Sequence, residues 1–215
     1  MSLEIPGVGL LETYLLSGVS TGCDIMRGEE TELVGITKLV PELAERGDEQ
    51  ETLVILPGTH SKHCVIRGQH LVDFTTYMTG ELYMHLHKMP TLTGIFAADA
   101  NLELDETAFL GGVDQARNQT LSAALFRIRS RAILSPDSST CAQSFLSGLL
   151  IGSELLPYVS SRYHQIYIHA SGPLAQCYRL AASRFALPAI VLYPDIFPCM
   201  PVVAGHAVFL TRVNL

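Results

Sequence analysis

Leu53-Val54-Ile55-Leu56-Pro57-Gly58-Thr59-His60-Ser61-Lys62-His63 joins an apolar run to a polar turn and then to a second β-forming run. Leu53 to Leu56 has the length of a buried strand rather than of a helix, and Pro57-Gly58 stops it. His63 to Arg67 and Leu71 to Met78 flank Gly68-Gln69-His70. Two β-forming runs around a short glycine-bearing connection predict a hairpin. Three strands therefore follow one another.

Beyond them, Thr79-Gly80-Glu81 opens a helix through Leu82, Met84 and Leu86, closed by Pro90. Asp105 to Leu134 reads as two helical pieces, with apolar spacing at Leu121, Ala124, Leu125 and Ile128. Ser138 or Ser139 can N-cap a helix through Phe145, Leu149, Leu150 and Leu155, where Pro157 stops it. Ile166 to Ala170 is a strand, Gly172-Pro173 starts a helix to about Phe185, Ala189 to Tyr193 is a strand, and Pro201 to Arg212 is a helix. Upstream, residues 1–50 are glycine-rich and then carry a helical pattern at Leu33, Ile36, Leu39 and Leu43. They end in the charged stretch Glu45 to Glu51, which marks a boundary. A three-stranded meander followed by helices alternating with strands is the order of a ribonuclease H-like α/β domain, the unit of the actin-like ATPases. Its mixed five-stranded sheet is flanked by helices.

Composition sets the outer limits. At 215 residues, 48% hydrophobic and 16% charged, with mean hydropathy +0.28, the chain has room for one full domain and a leading segment. A net charge of −7, with no basic grouping longer than Arg127, Arg129 and Arg131, argues against a nucleic-acid partner. Five scattered cysteines without a CxxC pair suggest neither a disulfide framework nor a thiolate zinc site, and point to a reducing, cytoplasmic setting. No apolar run reaches the ~18–20 residues of a membrane helix, so no membrane partner is expected.

Three segments could carry chemistry. Gly58, Thr59, Ser61 and Lys62 offer backbone N–H groups, two hydroxyls and an ammonium at a turn, a set suited to phosphate oxygens. Walker spacing is absent, so this is no P-loop; read locally, a PGT hairpin turn and a solvated lysine are the favoured explanation of the stretch. Asp24-Ile25-Met26-Arg27-Gly28-Glu29-Glu30-Thr31 places three carboxylates around one arginine at the start of a helix. A carboxylate there could accept a hydroxyl proton and Arg27 could hold an anion, or Glu29 and Glu30 could simply complement the helix dipole. Ala170-Ser171-Gly172-Pro173-Leu174 runs a strand into a helix N-terminus through a glycine, which permits close approach of a nucleotide. His60 with His63, and His85 with His87, lack the further ligand of a recognised metal spacing, so no metal site is assigned.

Taken together, DIMRGEETELVG (Asp24 to Gly35), LPGTHSKH (Leu56 to His63), VDFTTYMTGELY (Val72 to Tyr83), LFRIRSRAIL (Leu125 to Leu134), FLSGLLIGSEL (Phe145 to Leu155) and SGPLAQCY (Ser171 to Tyr178) resemble the 2-dehydro-3-deoxygalactonokinase family of actin-like sugar-acid kinases. The resemblance implies ATP-dependent phosphorylation of 2-dehydro-3-deoxy-D-galactonate at its 6-hydroxyl, with Mg²⁺ bridging the phosphates. It implies Gly58, Thr59, Ser61 and Lys62 as a phosphate loop and Gly172, Pro173 and Leu174 as an adenosine loop. Glu29 or Glu30 would be the base, with Asp24 as runner-up, and Arg27 would face the substrate carboxylate. The family usually carries an aromatic residue after THSK, where this chain has His63.

A strand-turn-strand motif of DxGTT type, which opens the first lobe of such kinases, is absent from these 215 residues. The expectation is therefore a remnant of the first lobe and crossing segment at 1–50 and a C-terminal lobe at 51–215, with impaired catalysis because phosphoryl transfer depends on positioning. The competing expectation is a non-catalytic nucleotide-binding module, or one that self-associates as a homo-oligomer through the surface a first lobe would cover.

Overall fold

The computed structural model describes residues 15–45, 50–96, 103–134, 139–161 and 163–212, together with the backbone of β1 (Ser2–Ile5) and β2 (Gly9–Glu12). The Ser138 cap and residues 46–49 of the charged boundary stretch lie outside the described residues. β1 pairs antiparallel with β2, and β3 (Val19–Ser20) with β4 (Ile25–Met26).

The helical pattern at residues 33–43 is divided into α1 (Glu29–Leu39) and α2 (Pro41–Glu45). Pro41 has no N–H to donate and pushes Val40 out of the helical region, to φ −118° and ψ 86°.

The main sheet begins with β5 (Glu51–Leu56), β6 (Ser61–Arg67) and β7 (His70–Tyr77). Four helices follow: α3 (Thr79–Leu86), α4 (Glu106–Asn118), α5 (Leu121–Leu134) and α6 (Ser139–Leu155). Pro157 ends α6 in a short 3₁₀ turn. The chain closes with β8 (Ile166–His169), α7 (Gly172–Arg184), β9 (Ala189–Leu192) and α8 (Pro201–Arg212).

Strand order is β7-β6-β5-β8-β9, antiparallel from β7 to β5 and parallel from β5 to β9. This is the mixed five-stranded sheet expected of a ribonuclease H-like domain. β6 starts at Ser61, two residues before the expected strand, because Ser61 pairs with Tyr77 and Lys62 lies between Leu56 and Thr76. The turn is thus shortened to residues 57–60.

β5 is buried on both faces, which is why its sequence reads as a continuous apolar run rather than an alternating one. Leu53 and Ile55 join Ile166 and Ile168 under Phe109, Val113, Leu155, Ala175 and Tyr178 of the α4, α6 and α7 layer. Val54 and Leu56 face Leu33 and Ile36 of α1, so the leading segment shares a core with the sheet.

Glycines set the helix contacts. A Cβ on Gly112 would lie 2.1 Å from the Phe145 carbonyl oxygen, and one on Gly148 would lie 1.9 Å from that of Phe109, so α4 and α6 touch backbone to backbone. Gly35 of α1 and Gly205 of α8 make the same kind of crossing. Asp105 caps α4 by accepting from Ala108 N at 2.9 Å. Among the described residues no helix is long and apolar enough to cross a membrane.

Candidate nucleotide site

β5 and β8 are neighbours and run parallel, so the loops that leave their carboxyl ends emerge side by side. The first is the 57–60 turn; the second is Ala170-Ser171-Gly172. This carboxyl-end crevice is where α/β sheets place ligands.

In the first loop Gly58, Thr59 and His60 are exposed. The N-terminus of α3 braces it from below. A Cβ on Gly80 would meet the Gly58 carbonyl oxygen at 2.4 Å, Glu81 N donates to Thr59 O at 3.0 Å, and His60 Nε2 lies 2.7 Å from Glu81 Oε2.

Lys62 is nearly enclosed, at 6% side-chain exposure, and its Nζ is 3.5 Å from Glu29 Oε1. In the second loop Gly172 takes φ +54°, and nothing lies within 4 Å of where its Cβ would be. The glycine therefore leaves open space over the first turn of α7, beside exposed Pro173 and Leu174.

The carboxylates proposed as bases diverge. Asp24 Oδ2 accepts from Thr76 N at 2.6 Å, and its Oδ1 accepts from Thr76 Oγ1 at 2.8 Å and Ile25 N at 2.7 Å. Burial alone would raise the Asp24 pKa, but these bonds and the nearby Lys62 ammonium outweigh it and hold the carboxyl below its usual range. Glu30 is buried and accepts from Gly28 N at 2.6 Å. Glu29 accepts from Arg27 N at 3.2 Å, yet stays about a third exposed. The Arg27 side chain is on the surface. Asp24, Glu29 and Lys62 therefore gather where Thr76 pairs with Lys62, while Glu30 turns to its own backbone and Arg27 turns to solvent.

Sequence reasoning missed a buried polar centre beneath the first loop. Glu154, at 2% exposure, receives Ser61 Oγ at 2.8 Å, His63 Nε2 at 2.6 Å and Tyr178 OH at 2.8 Å on Oε1, and the Thr79 hydroxyl on Oε2. Ser61 is fully buried, so its hydroxyl serves this interior centre. Burial by itself would raise Glu154, but the donors and the neighbouring imidazole keep it below the ordinary carboxylate range.

His63 keeps an aromatic ring where the resembled family has one. It lies 4.4 Å from the Tyr77 ring and 5.3 Å from that of Tyr158. The imidazole adds polar edges, with Nε2 on Glu154 and Nδ1 2.7 Å from Tyr158 OH. The available signal was that Glu154 is the one charged residue of its helix, and a carboxylate there must find partners or stay out of the core.

A second unforeseen pair lies at the end of β8. His169 Nδ1 is 2.6 Å from Glu32 Oε1, and His169 Nε2 is buried without a hydrogen-bond partner.

The mixed five-stranded sheet flanked by helices is the ribonuclease H-like α/β fold. The chain belongs to the 2-keto-3-deoxy-galactonokinase family, whose profile matches residues 6–197. It is 35% identical over 162 residues to the 2-dehydro-3-deoxygalactonokinase of Escherichia coli (strain K12), covering 74% of this chain and 51% of that protein. It is 32% identical, with the same coverage, to a probable 2-dehydro-3-deoxygalactonokinase of Rhizobium meliloti (strain 1021). A crystal structure of a Sinorhizobium meliloti protein provisionally assigned to this kinase superposes with TM-score 0.76 at 29% identity, over 88% of this chain and 61% of that one. The chain spans about half the length of the curated relatives it matches.

Proposed function

We propose that residues 51–215 are the nucleotide-binding lobe of an ATP-dependent sugar-acid kinase that phosphorylates 2-dehydro-3-deoxy-D-galactonate at its 6-hydroxyl, and that residues 1–50 carry the crossing segment and a remnant of the first lobe. The carrying observation is the placement of the 57–60 turn and the Gly172 turn at the carboxyl ends of adjacent parallel strands. Backbone N–H groups of Gly58 and Thr59 with the Lys62 ammonium suit the phosphates, and the open space at Gly172 suits the nucleoside. Glu29 is the better candidate base, because it alone of the three carboxylates remains about a third exposed without a short bond that commits it. Mg²⁺ would be carried on the nucleotide phosphates.

A coupled assay of ADP release with ATP and 2-dehydro-3-deoxy-D-galactonate tests the activity. Turnover that Glu29→Gln abolishes supports the kinase. Nucleotide binding with no turnover supports a second reading, a nucleotide-binding module that self-associates. That reading is favoured by Leu15 and Ile25, 80% and 75% exposed on the leading segment. Sedimentation of the chain separates monomer from homo-oligomer.

A further inference from the structure

We propose that Glu154 is a positioning residue that holds the phosphate loop and the adenosine loop in one fixed relation, so that a single ATP engages both; this rests on the reading of those loops given above. Its donors come from three different elements. Ser61 and His63 lie at the start of β6, directly after the 57–60 turn. Thr79 is the first residue of α3, whose Gly80 sits against the Gly58 carbonyl. Tyr178 lies on α7, the helix that begins at Gly172. The carboxylate itself is carried by α6, which the Gly112 and Gly148 crossings lock to α4. One buried group therefore joins the strand after the first loop, the helix under it and the helix after the second loop.

A buried carboxylate that accepts several hydrogen bonds fixes its donors closely, because each bond is charge-assisted and water cannot replace it. A ligand that spans two subsites gains from effective concentration, and that gain is lost when the subsites shift relative to each other, even though each still binds its own fragment. Loss of the Glu154 charge should therefore weaken ATP far more than it weakens either half of ATP. A role confined to stability would instead lower the amount of folded protein and leave the ratio among the three ligands unchanged.

The test is calorimetric titration of the full chain with MgATP, adenosine and magnesium tripolyphosphate, for the unaltered protein, Glu154→Gln and Tyr178→Phe. Tyr178→Phe removes one hydroxyl and keeps the ring in the core, so it decides the matter if Glu154→Gln does not fold. The expected result is MgATP weakened about tenfold in Glu154→Gln and about threefold in Tyr178→Phe, with adenosine and tripolyphosphate each changed less than about twofold. Equal weakening of all three ligands, or unchanged MgATP affinity in the variants, would overturn the positioning role. An unaltered protein that binds neither adenosine nor tripolyphosphate would overturn the loop reading and this proposal with it.

Discussion

Lys62 Nζ lies 3.5 Å from Glu29 Oε1, which ties the strand behind the 57–60 turn to the first turn of α1. The ammonium is almost enclosed while the carboxylate is about a third exposed, so the pair is lopsided. Removing the lysine frees a carboxylate that water can reach; removing the carboxylate strands a buried cation. Lys62→Met is therefore expected to lower MgATP affinity tenfold or more while changing stability by less than about 1 kcal/mol. Glu29→Gln is expected to cost more stability than Lys62→Met, and urea midpoints for the two variants check the order.

The glycines give a graded test of packing against backbone conformation. Gly148→Ala places a Cβ 1.9 Å from the Phe109 carbonyl oxygen, on a backbone atom that cannot swing away. The expected cost is about 3 kcal/mol or more, by urea denaturation. Gly172→Ala meets no atom within 4 Å and pays only for its left-handed φ of +54°, about 1–2 kcal/mol. Gly80→Ala, with a Cβ 2.4 Å from Gly58 O, is expected to cost stability and also to displace the phosphate turn, which reduces tripolyphosphate binding.

Acid stability should report Glu154. Its folded pKa lies below the ordinary 4.5, so the stability it contributes is fully present above that value and is lost as the pH falls through the folded pKa. Urea unfolding between pH 3 and 7 is expected to show a fall below about pH 4.5, and Glu154→Gln is expected to flatten it. Asp114 is also held low, by its hydrogen bonds from Arg184 and the guanidinium charge, but the pair is exposed. Asp114→Asn should change stability by less than about 1 kcal/mol across the same range.

Thiol reactivity checks the two cores independently. Cys23 and Cys199 are exposed, whereas Cys64 and Cys177 are buried. Burial, reinforced by the charge of Glu29, pushes the Cys64 thiol up to about 12. With a disulfide reagent at pH 8, two thiols are expected to react at once, half-buried Cys141 more slowly, and Cys64 and Cys177 only as the protein unfolds. Fast reaction of Cys64 in the native protein would contradict the packing of α1 on the sheet.

The sheet was legible because its cues are local. Pro57-Gly58 and Gly68-Gln69 mark the turns, and the apolar run Leu53 to Leu56 is what a strand buried on both faces looks like. The division of α1 from α2 could have been read from Pro41, but the spacing of Leu33, Ile36, Leu39 and Leu43 carries straight through it. Strand pairing was the limit at Ser61 and Lys62: a turn and a strand start are the same letters until Tyr77 and Thr76 arrive beside them. The two stretches proposed as phosphate and adenosine loops stood out as motifs, since each is contiguous in sequence. Glu154 did not, because its donors stand 24 to 93 residues away and no spacing rule relates them. Its standing as the lone charge of α6 was the available clue. The residues around Arg27 were read together from their proximity in sequence; the fold keeps Glu29 and Asp24 near Lys62, while Glu30 bonds its own backbone and Arg27 lies on the surface.

The central claim, that this lobe binds a nucleotide across the two loops, is tested most directly by mapping backbone amide NMR shifts of the chain during titration with MgATP. Shifts concentrated at Gly58, Thr59, Ser61 and Lys62 and at Gly172 and Leu174, saturating together with one affinity, are predicted. A spectrum unchanged at saturating MgATP, or shifts confined to a region away from both loops such as the recess between Ile128 and Phe145, would contradict it.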